Sequence, residues 1–209
     1  LTAPAANLTV FAPTDTAFGT LATQLGFANA GAMVTALSPS DLSKILTYHV
    51  VPGTKYAADL KAGGATQSTA YNFSGTPAKL ALNTTSGVAI TDAALATSKV
   101  AAADVRADNG VIHVVDKVLV PPGVLNVVQM AQANPGAFSS LTGAVVAAGL
   151  APTLSGAGPF TVFAPTNTAF AGAPTGLTTP QLTTVLLYHV LSGQVLSTGI
   201  PFGTAVPTL

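Results

Sequence analysis

Apolar and polar positions change period several times along this chain, and each change predicts an element. Leu8-Thr9-Val10-Phe11 is a short β-branched and aromatic run closed by Pro13, the pattern of a strand entering a turn. Thr14 then stands as a helix N-cap with Asp15 in the first turn, and Phe18, Leu21 and Leu25 recur at helical spacing. Ser38-Pro39-Ser40-Asp41 is a second helix start, carrying a cap and an early proline, with Leu42, Ile45 and Leu46 on one face. After Val50-Val51-Pro52-Gly53 the pattern becomes strand-like, with short runs at 78–83, 87–91, 99–105 and 111–120. Turn residues such as Ser86-Gly87 and Asp108-Asn109-Gly110 separate them, and the Asn109-Gly110 pair ahead of Val-Ile-His-Val-Val predicts a hairpin. Pro121-Pro122-Gly123 ends the last strand and divides the chain into residues 1–122 and 123–209. Beyond it Val124, Val127, Val128 and Ala131 form a helical stripe, Asn134-Pro135-Gly136 breaks it, and Phe138, Leu141, Val145 and Ala148 form the next.

Part of this pattern occurs twice. Residues 8–18 read LTVFAPTDTAF and residues 160–170 read FTVFAPTNTAF, matching at nine of eleven positions, and both are followed by Tyr-His-Val, at Tyr48-His49-Val50 and Tyr188-His189-Val190. The second helix start recurs as Thr178-Thr179-Pro180-Gln181, with Leu182, Val185 and Leu186 behind it. Phe11 aligns with Phe163 at an interval of 152 residues and Tyr48 with Tyr188 at 140, intervals that belong to a duplicated domain and are too long for a solenoid repeat. The 12-residue difference lies between the two motifs, where the first copy carries the segment around Leu25-Gly26-Phe27-Ala28-Asn29-Ala30-Gly31, expected to be a longer helix–loop connection on the surface.

Composition narrows the function classes. The chain of 209 residues is 49% hydrophobic, enough for one good core or two partial ones, and no apolar run approaches the roughly eighteen residues of a membrane helix. It has no Cys, so neither disulfides nor thiolate metal sites are available, and Leu1-Thr2-Ala3-Pro4 has no basic or hydrophobic signal character. Only 7% of residues are charged, none is Glu, and all fourteen charges lie between Asp15 and Lys117, which leaves residues 123–209 without a single charged side chain. Such a surface reads either as a neutral extracellular face rich in Thr, Ser, Gln and Asn, or as one covered by another copy of the protein. A net charge of zero argues against nucleic acid and against electrostatic attachment to anionic lipid.

The candidate chemistry is sparse. His49, His113 and His189 are the only imidazoles, and there is no HExxH, no His-x-His and no Gly-x-Ser-x-Gly nucleophile elbow. His49 and His113 sit in what reads as apolar strand context, so each is expected to be a buried ring bonded to backbone, with no metal or cofactor. Asp15 and Asp116 form a nominal carboxylate pair, but Asn167 replaces Asp15 in the second copy, which points to a helix cap that needs no charge. Asn7-Leu8-Thr9, Asn72-Phe73-Ser74 and Asn83-Thr84-Thr85 fit the glycosylation acceptor pattern.

These residues together resemble the fasciclin-like domain. TVFAPT(D/N)xAF is similar to its first signature box, Tyr-His-Val to its central motif, and 109–119, reading NGVIHVVDKVL, to its second box. The resemblance implies an α+β fold, a wedge-shaped β-sandwich flanked by helices, here in tandem, with roles in extracellular adhesion, matrix assembly and surface display. Measured against that pattern, residues 1–122 hold both boxes but lack the two helices expected ahead of the first, while 123–209 hold those helices, the first box and Tyr188-His189 but not a second Asn-Gly-Val-Ile-His. The chain is accordingly expected to be a segment of a longer array, or one whose half-domains are completed by neighbouring subunits.

The expected function is a non-enzymatic, extracellular or cell-surface adhesion or self-assembling protein, whose partners are other copies of itself or other surface and matrix proteins. The residues expected to carry it are Phe11, Pro13, Thr14, Phe18, Tyr48, His49, Asn109, Gly110 and His113, with Phe163, Pro165, Thr166, Tyr188 and His189 as counterparts. Asp104-Val105 joins them because adhesive members of the family resemble one another there in an Asp-Ile motif read by integrins; its context here, Ala102-Ala103-Asp104-Val105-Arg106, lacks their flanking acidic and proline residues and also fits an edge-strand pair. Two alternatives stand beside this reading: a module binding a small hydrophobic ligand in a cavity of Val, Leu and Ala, and a hydrolase using a His/Asp pair in an open pocket.

Overall fold

The computed structural model describes residues 7–200 and 203–209, and the chain divides into two compact units between Val124 and Leu125. The first unit runs β1 (Leu8–Pro13), α1 (Asp15–Gln24), α2 (Ala30–Ala36), α3 (Pro39–Tyr48), β2 (Val50–Pro52), α4 (Ala57–Ala62), β3 (Thr66–Phe73), β4 (Thr76–Asn83), β5 (Ala89–Thr91), β6 (Thr97–Ala107) and β7 (Gly110–Val115). Its seven strands form one curled sheet in the order β2-β1-β7-β6-β5-β4-β3, antiparallel except that β1 lies parallel to β7. With helices flanking this sheet, the fold is α+β.

The curl has a local cause. Residues Thr97–Lys99 of β6 pair with β5, whereas Val100–Ala107 pair with β7, so β6 passes from one half of the sheet to the other. The register slips between Val100 and Ala102 and again between Ala102 and Val105, and Asp104 takes φ +63° inside the second slip. Bulges of this kind bend a strand and raise its twist, and here they fold the sheet into a wedge. The wedge encloses a core of Phe11, Tyr48, Val51, Leu60, Tyr71, Leu80, Leu82, Val88, Ile90, Val115 and Leu119.

Several expectations change on contact with the structure. The hairpin loop is Asp108-Asn109, and Gly110 is already the first residue of β7, opposite Ala107. The run expected over 111–120 stops at Val115, because the Asp116 carboxylate accepts from Lys99 N (2.7 Å) and Ser98 Oγ (3.0 Å) and turns the chain; Val118, Leu119 and Val120 are buried as irregular backbone. Strand β3 carries no hydrophobic signature, because its inward positions are Gln67, Thr69 and Tyr71, and Thr69 Oγ donates to Ala78 O (2.8 Å) across the sheet. The extra segment of the first copy is the expected helix–loop connection, leaving α1 after Gln24 and entering α2, which Asn29 caps on Ala32 N.

The second unit runs α5 (Val127–Gln132), α6 (Pro135–Ala147), α7 (Ala151–Leu154), β8 (Phe160–Val162), α8 (Asn167–Phe170), α9 (Thr179–Leu187) and β9 (Val190–Ser192), followed by a 3₁₀ turn at Ser197–Gly199. The two helical stripes are separate helices divided at Asn134-Pro135, as expected, with α5 ending at Gln132 and Pro135 in the first turn of α6, where its missing N–H costs nothing. β8 and β9 pair antiparallel, and the core beside them is Val128, Leu141, Val145, Leu150, Leu154, Leu186 and Val190.

Candidate functional site

The two copies of the signature motif build the same frame, atom for atom. In the first, Thr9 Oγ donates to Gly53 O (2.7 Å) and accepts from Lys55 N (2.9 Å), while Phe11 N donates to His49 O (2.9 Å). In the second, Thr161 Oγ donates to Gly193 O (2.7 Å) and accepts from Val195 N (2.8 Å), while Phe163 N donates to His189 O (2.9 Å). Thr14 and Thr166 cap α1 and α8 through Ala17 N and Ala169 N. The repeated threonine, which the sequence does not single out, thus ties each first box to the loop after its Tyr-His pair. Thr9→Val leaves the Lys55 N–H and Gly53 C=O without this partner beside a buried side chain, and we expect it to lower the stability of the first unit by about 1–3 kcal/mol, read as a shift in denaturant midpoint.

Tyr48 closes α3 and is wholly buried, its hydroxyl donating to Lys79 O (3.2 Å) and its ring meeting Tyr71 edge-on. Burial pushes its hydroxyl pKa well above the ordinary tyrosine value. His49 caps the end of α3 and does not lie in a strand as its neighbours suggest; its Nδ1 bonds Ile45 O (2.7 Å) and its Nε2 accepts from Leu119 N (2.8 Å). That pair of partners defines the neutral ring with the proton on Nδ1, and burial lowers its pKa to about 4. On the adjacent residue the Asp92 carboxylate accepts from Val120 N (2.8 Å) as well as from Ala96 N (2.9 Å). Asp92 is buried and its pKa is raised by that burial, yet no motif points to it: its role exists only because Val120 returns to it from 28 positions away.

His113 is fully buried in β7 and stacks on Phe11 with ring centroids 5.6 Å apart. Its Nδ1 accepts from Asp104 N (3.3 Å) and its Nε2 meets Lys55 O (2.9 Å), so the ring holds the bulge of β6 to the loop before α4. The Asp104 carboxylate lies 3.9 Å from His113 Nδ1 and accepts from Ala57 N (2.7 Å), and Arg106 lies over the Tyr56 ring. Val105 is exposed beside it, on a stretch of β6 that pairs with β7 alone, because β5 reaches only Thr97–Lys99. Both nitrogens of His113 and both of His49 meet backbone groups, which leaves neither ring a lone pair to take a proton from a substrate. Pro13 ends β1 opposite Val115, Phe18 is half-buried on α1, and Asn109 sits in the hairpin loop, its carbonyl accepting from Leu8 N (3.0 Å).

The counterparts in the second unit share the frame but not the surroundings. Phe163 and Tyr188 are exposed, Pro165 follows β8, and among the described residues His189 has only the Nδ1 bond to its helix, at Val185 O (2.8 Å). Asn167 does not cap its own helix, as the Asp15/Asn167 exchange suggested. Its Oδ1 accepts from Ser140 N (2.9 Å) and its Nδ2 donates to Pro135 O (3.1 Å) and Gly136 O (3.0 Å), joining α8 to the start of α6. An Asp there has no donor for those carbonyls, which explains the amide. A cavity of about 30 Å³ lies among Val128, Leu141, Val145, Val162, Leu186 and His189. Ligand pockets run to about 300–1,000 Å³, so this space does not supply the site that a small hydrophobic ligand requires.

Among the described residues no group of three or more His, Cys, Asp or Glu is placed to hold a metal ion, and no helix is long and apolar enough to cross a membrane. The family model of the fasciclin domain matches residues 1–121 and 136–209. Two proteins of Synechocystis sp. (strain ATCC 27184 / PCC 6803 / Kazusa) are similar. Protein sll1483 is 39% identical over 119 residues, covering 54% of this chain and 55% of that protein, and uncharacterized protein sll1735 is 48% identical over 113 residues, covering 54% and 71%. The match thus spans about half the length of the first of these relatives. Among solved structures, a FAS1 domain pair from the insect cell adhesion molecule Fasciclin I aligns with 97% of this chain and 73% of its own at 18% identity and a TM-score of 0.44. With both signature boxes built into the buried frame of the first unit and the family model covering nearly the whole length, this chain belongs to the fasciclin domain family.

Proposed function

We propose that this chain is a non-enzymatic adhesion or structural protein of the cell surface or extracellular space, built from two fasciclin-like domains at 1–122 and 123–209, that works by associating with copies of itself or with other surface and matrix proteins into matrix or filaments. Fasciclin domains in general are adhesion-type or structural modules, typically extracellular or surface-associated. The observation that carries the finer reading is the surface of the second unit: it has no charged residue, and it exposes Val146, Phe163, Val185, Tyr188 and Leu196. Exposed apolar side chains on a surface without charges support a contact role, and without charges such a contact is insensitive to salt. The signature side chains, meanwhile, are spent on bracing: Thr9, Tyr48, His49 and His113 all bond backbone.

The test is sedimentation of the purified chain and adhesion of beads coated with it, each at low and high salt. We expect concentration-dependent association or bead clustering that changes little between about 0.05 and 1 M salt. A chain that remains monomeric up to about 1 mM and leaves coated beads dispersed contradicts the reading.

A further inference from the structure

Strand direction decides how a sheet meets a pull along its own chain, and in the first unit it sets two neighbouring strands against each other. Tension from the N-terminal side reaches β1 at Leu8, whatever precedes that strand. Tension from the C-terminal side reaches β7 at Val115, after passing along the residues that follow it. β1 and β7 run parallel and pair over the whole of both strands, from Leu8 opposite Gly110 to Pro13 opposite Val115. The two pulls therefore enter at opposite ends of the ladder, so its hydrogen bonds are sheared together and are not peeled in turn.

Neither strand is free to slide. β1 is paired with β2 on its other side and β7 with β6. Leu8 N donates to Asn109 O (3.0 Å) at one end of the parallel pair and Thr14 N to Val115 O (3.3 Å) at the other. Thr9 Oγ fastens the start of β1 to Gly53 O and Lys55 N, and Asn7 O accepts from Gly53 N (2.8 Å), so the end that takes the N-terminal pull is tied on both sides.

The lead-in from the C-terminal side is built differently. Residues 117–123 belong to no strand, and side chains from separate elements hold them one position at a time. Ser98 Oγ accepts from Lys117 N (3.1 Å), His49 Nε2 from Leu119 N (2.8 Å) and the Asp92 carboxylate from Val120 N (2.8 Å), while the Tyr71 hydroxyl donates to Pro122 O (3.0 Å). A pull arriving at Val124 meets these bonds in series, that of Tyr71 first, and each resists it alone.

From this geometry we infer that the first unit is a tension-bearing module, in which the parallel β1–β7 pair is the clamp and the strap 117–123 is a lead-in that yields before the clamp is strained. The module carries force transmitted along the chain by its contacts with other molecules. It rests on strand directions and bonds within one unit, so it holds whether or not the chain associates with copies of itself.

Single-molecule stretching of the whole protein in two geometries tests this. One holds the chain by its termini. The other holds it by the N-terminus and by the thiol of an Asp108→Cys variant, a unique attachment point because the chain has no cysteine, on an exposed loop residue beside the N-terminal end of β7. That second pull enters β1 and β7 at the same end and unzips them. At equal loading rate we expect the first unit to rupture at a force at least about twofold higher between the termini, because forced unfolding is governed by the barrier to unfolding along the pull. Rupture there should free about 350 Å of chain from residues 8–115, after an earlier extension of no more than about 25 Å as the strap comes away. Tyr71→Phe removes the first strap bond and keeps the ring, so it should lower the force of the early extension and leave the main rupture unchanged. This comparison uses the termini alone and needs no engineered thiol. Equal rupture forces in the two geometries, rupture without an earlier extension, or a main rupture that weakens with Tyr71→Phe would each overturn the inference. Coated beads that stay dispersed while single molecules still resist the pull remove the adhesive reading and leave this one standing; clustering beads with equal rupture forces do the reverse.

Discussion

Gly110→Ala should cost the first unit about 3 kcal/mol or more and leave the second untouched. A Cβ at Gly110 would overlap the Leu8 carbonyl oxygen and lie 2.8 Å from Leu8 C and 2.9 Å from Leu8 N. All three are backbone atoms, and Leu8 cannot retreat because it is paired with Pro52 of β2 on its other side. Overpacking a core costs about 1–3 kcal/mol when side chains can yield; here the neighbour is a sheet ladder, so the cost reaches the top of that range or exceeds it. The substitution also parts β1 from β7 at the point where Asn109 O accepts from Leu8 N. Chemical denaturation followed by resolved amide signals from each unit provides the measurement. Retention of the wild-type midpoint to within about 0.5 kcal/mol would mean that the parallel β1–β7 pairing is not what closes the wedge.

Acidification from pH 7 to pH 4 should weaken the same unit by about 3 kcal/mol through His49 alone. The folded ring titrates near 4 and the unfolded ring near 6.5, so the unfolded chain takes the proton first. The stability contributed by the neutral ring is therefore complete above about pH 6.5, falls as the pH drops through the interval to about 4, and is gone below it. The cause is geometric as well as dielectric, since a proton on Nε2 would face the Leu119 N–H that this atom now accepts. Asp92 acts in the opposite sense: its carboxyl pKa is raised in the fold, so protonation favours the folded state as the pH falls. The discriminating measurement is the difference in denaturant midpoint between wild type and His49→Gln at each pH. That difference should shrink between pH 7 and pH 4 because only the wild type pays for protonating a buried imidazole, and a constant difference across the range would remove His49 from the account.

The two residues meet on one stretch of chain. Val118, Leu119 and Val120 have no ladder of their own, and their backbone is held by an imidazole on one residue and a carboxylate on the next. Irregular backbone can be buried only when such partners satisfy it, which gives the Tyr-His pair a purpose that has nothing to do with catalysis. The second unit keeps its histidine in the same helical bond, His189 Nδ1 to Val185 O.

What was legible in the sequence was local. Thr14, Ser38 and Thr178 stand at helix starts because a hydroxyl beside an unpaired N–H needs only neighbours within three residues. The hairpin at Asp108-Asn109 and the duplication itself are likewise properties of short stretches, and the signature boxes carry the family, whereas Leu46 on the expected apolar face of α3 and Val185 on that of α9 are exposed. Strand β3 was missed because its buried face is Gln67 and Thr69, polar side chains that only cross-strand partners make admissible. Asp92 and the bridge at Asn167 were missed because their partners lie 28 and as much as 32 positions away. Phe11 and Phe163, or Tyr48 and Tyr188, state the division most sharply. The residues and their flanking motifs are the same, and so is the backbone frame, because hydrogen bonds within and just beyond the motif are specified by the motif. Their burial is opposite, because burial depends on which distant strands arrive to cover a side chain, and that was decided only when the sheet closed around the first copy and left the second open.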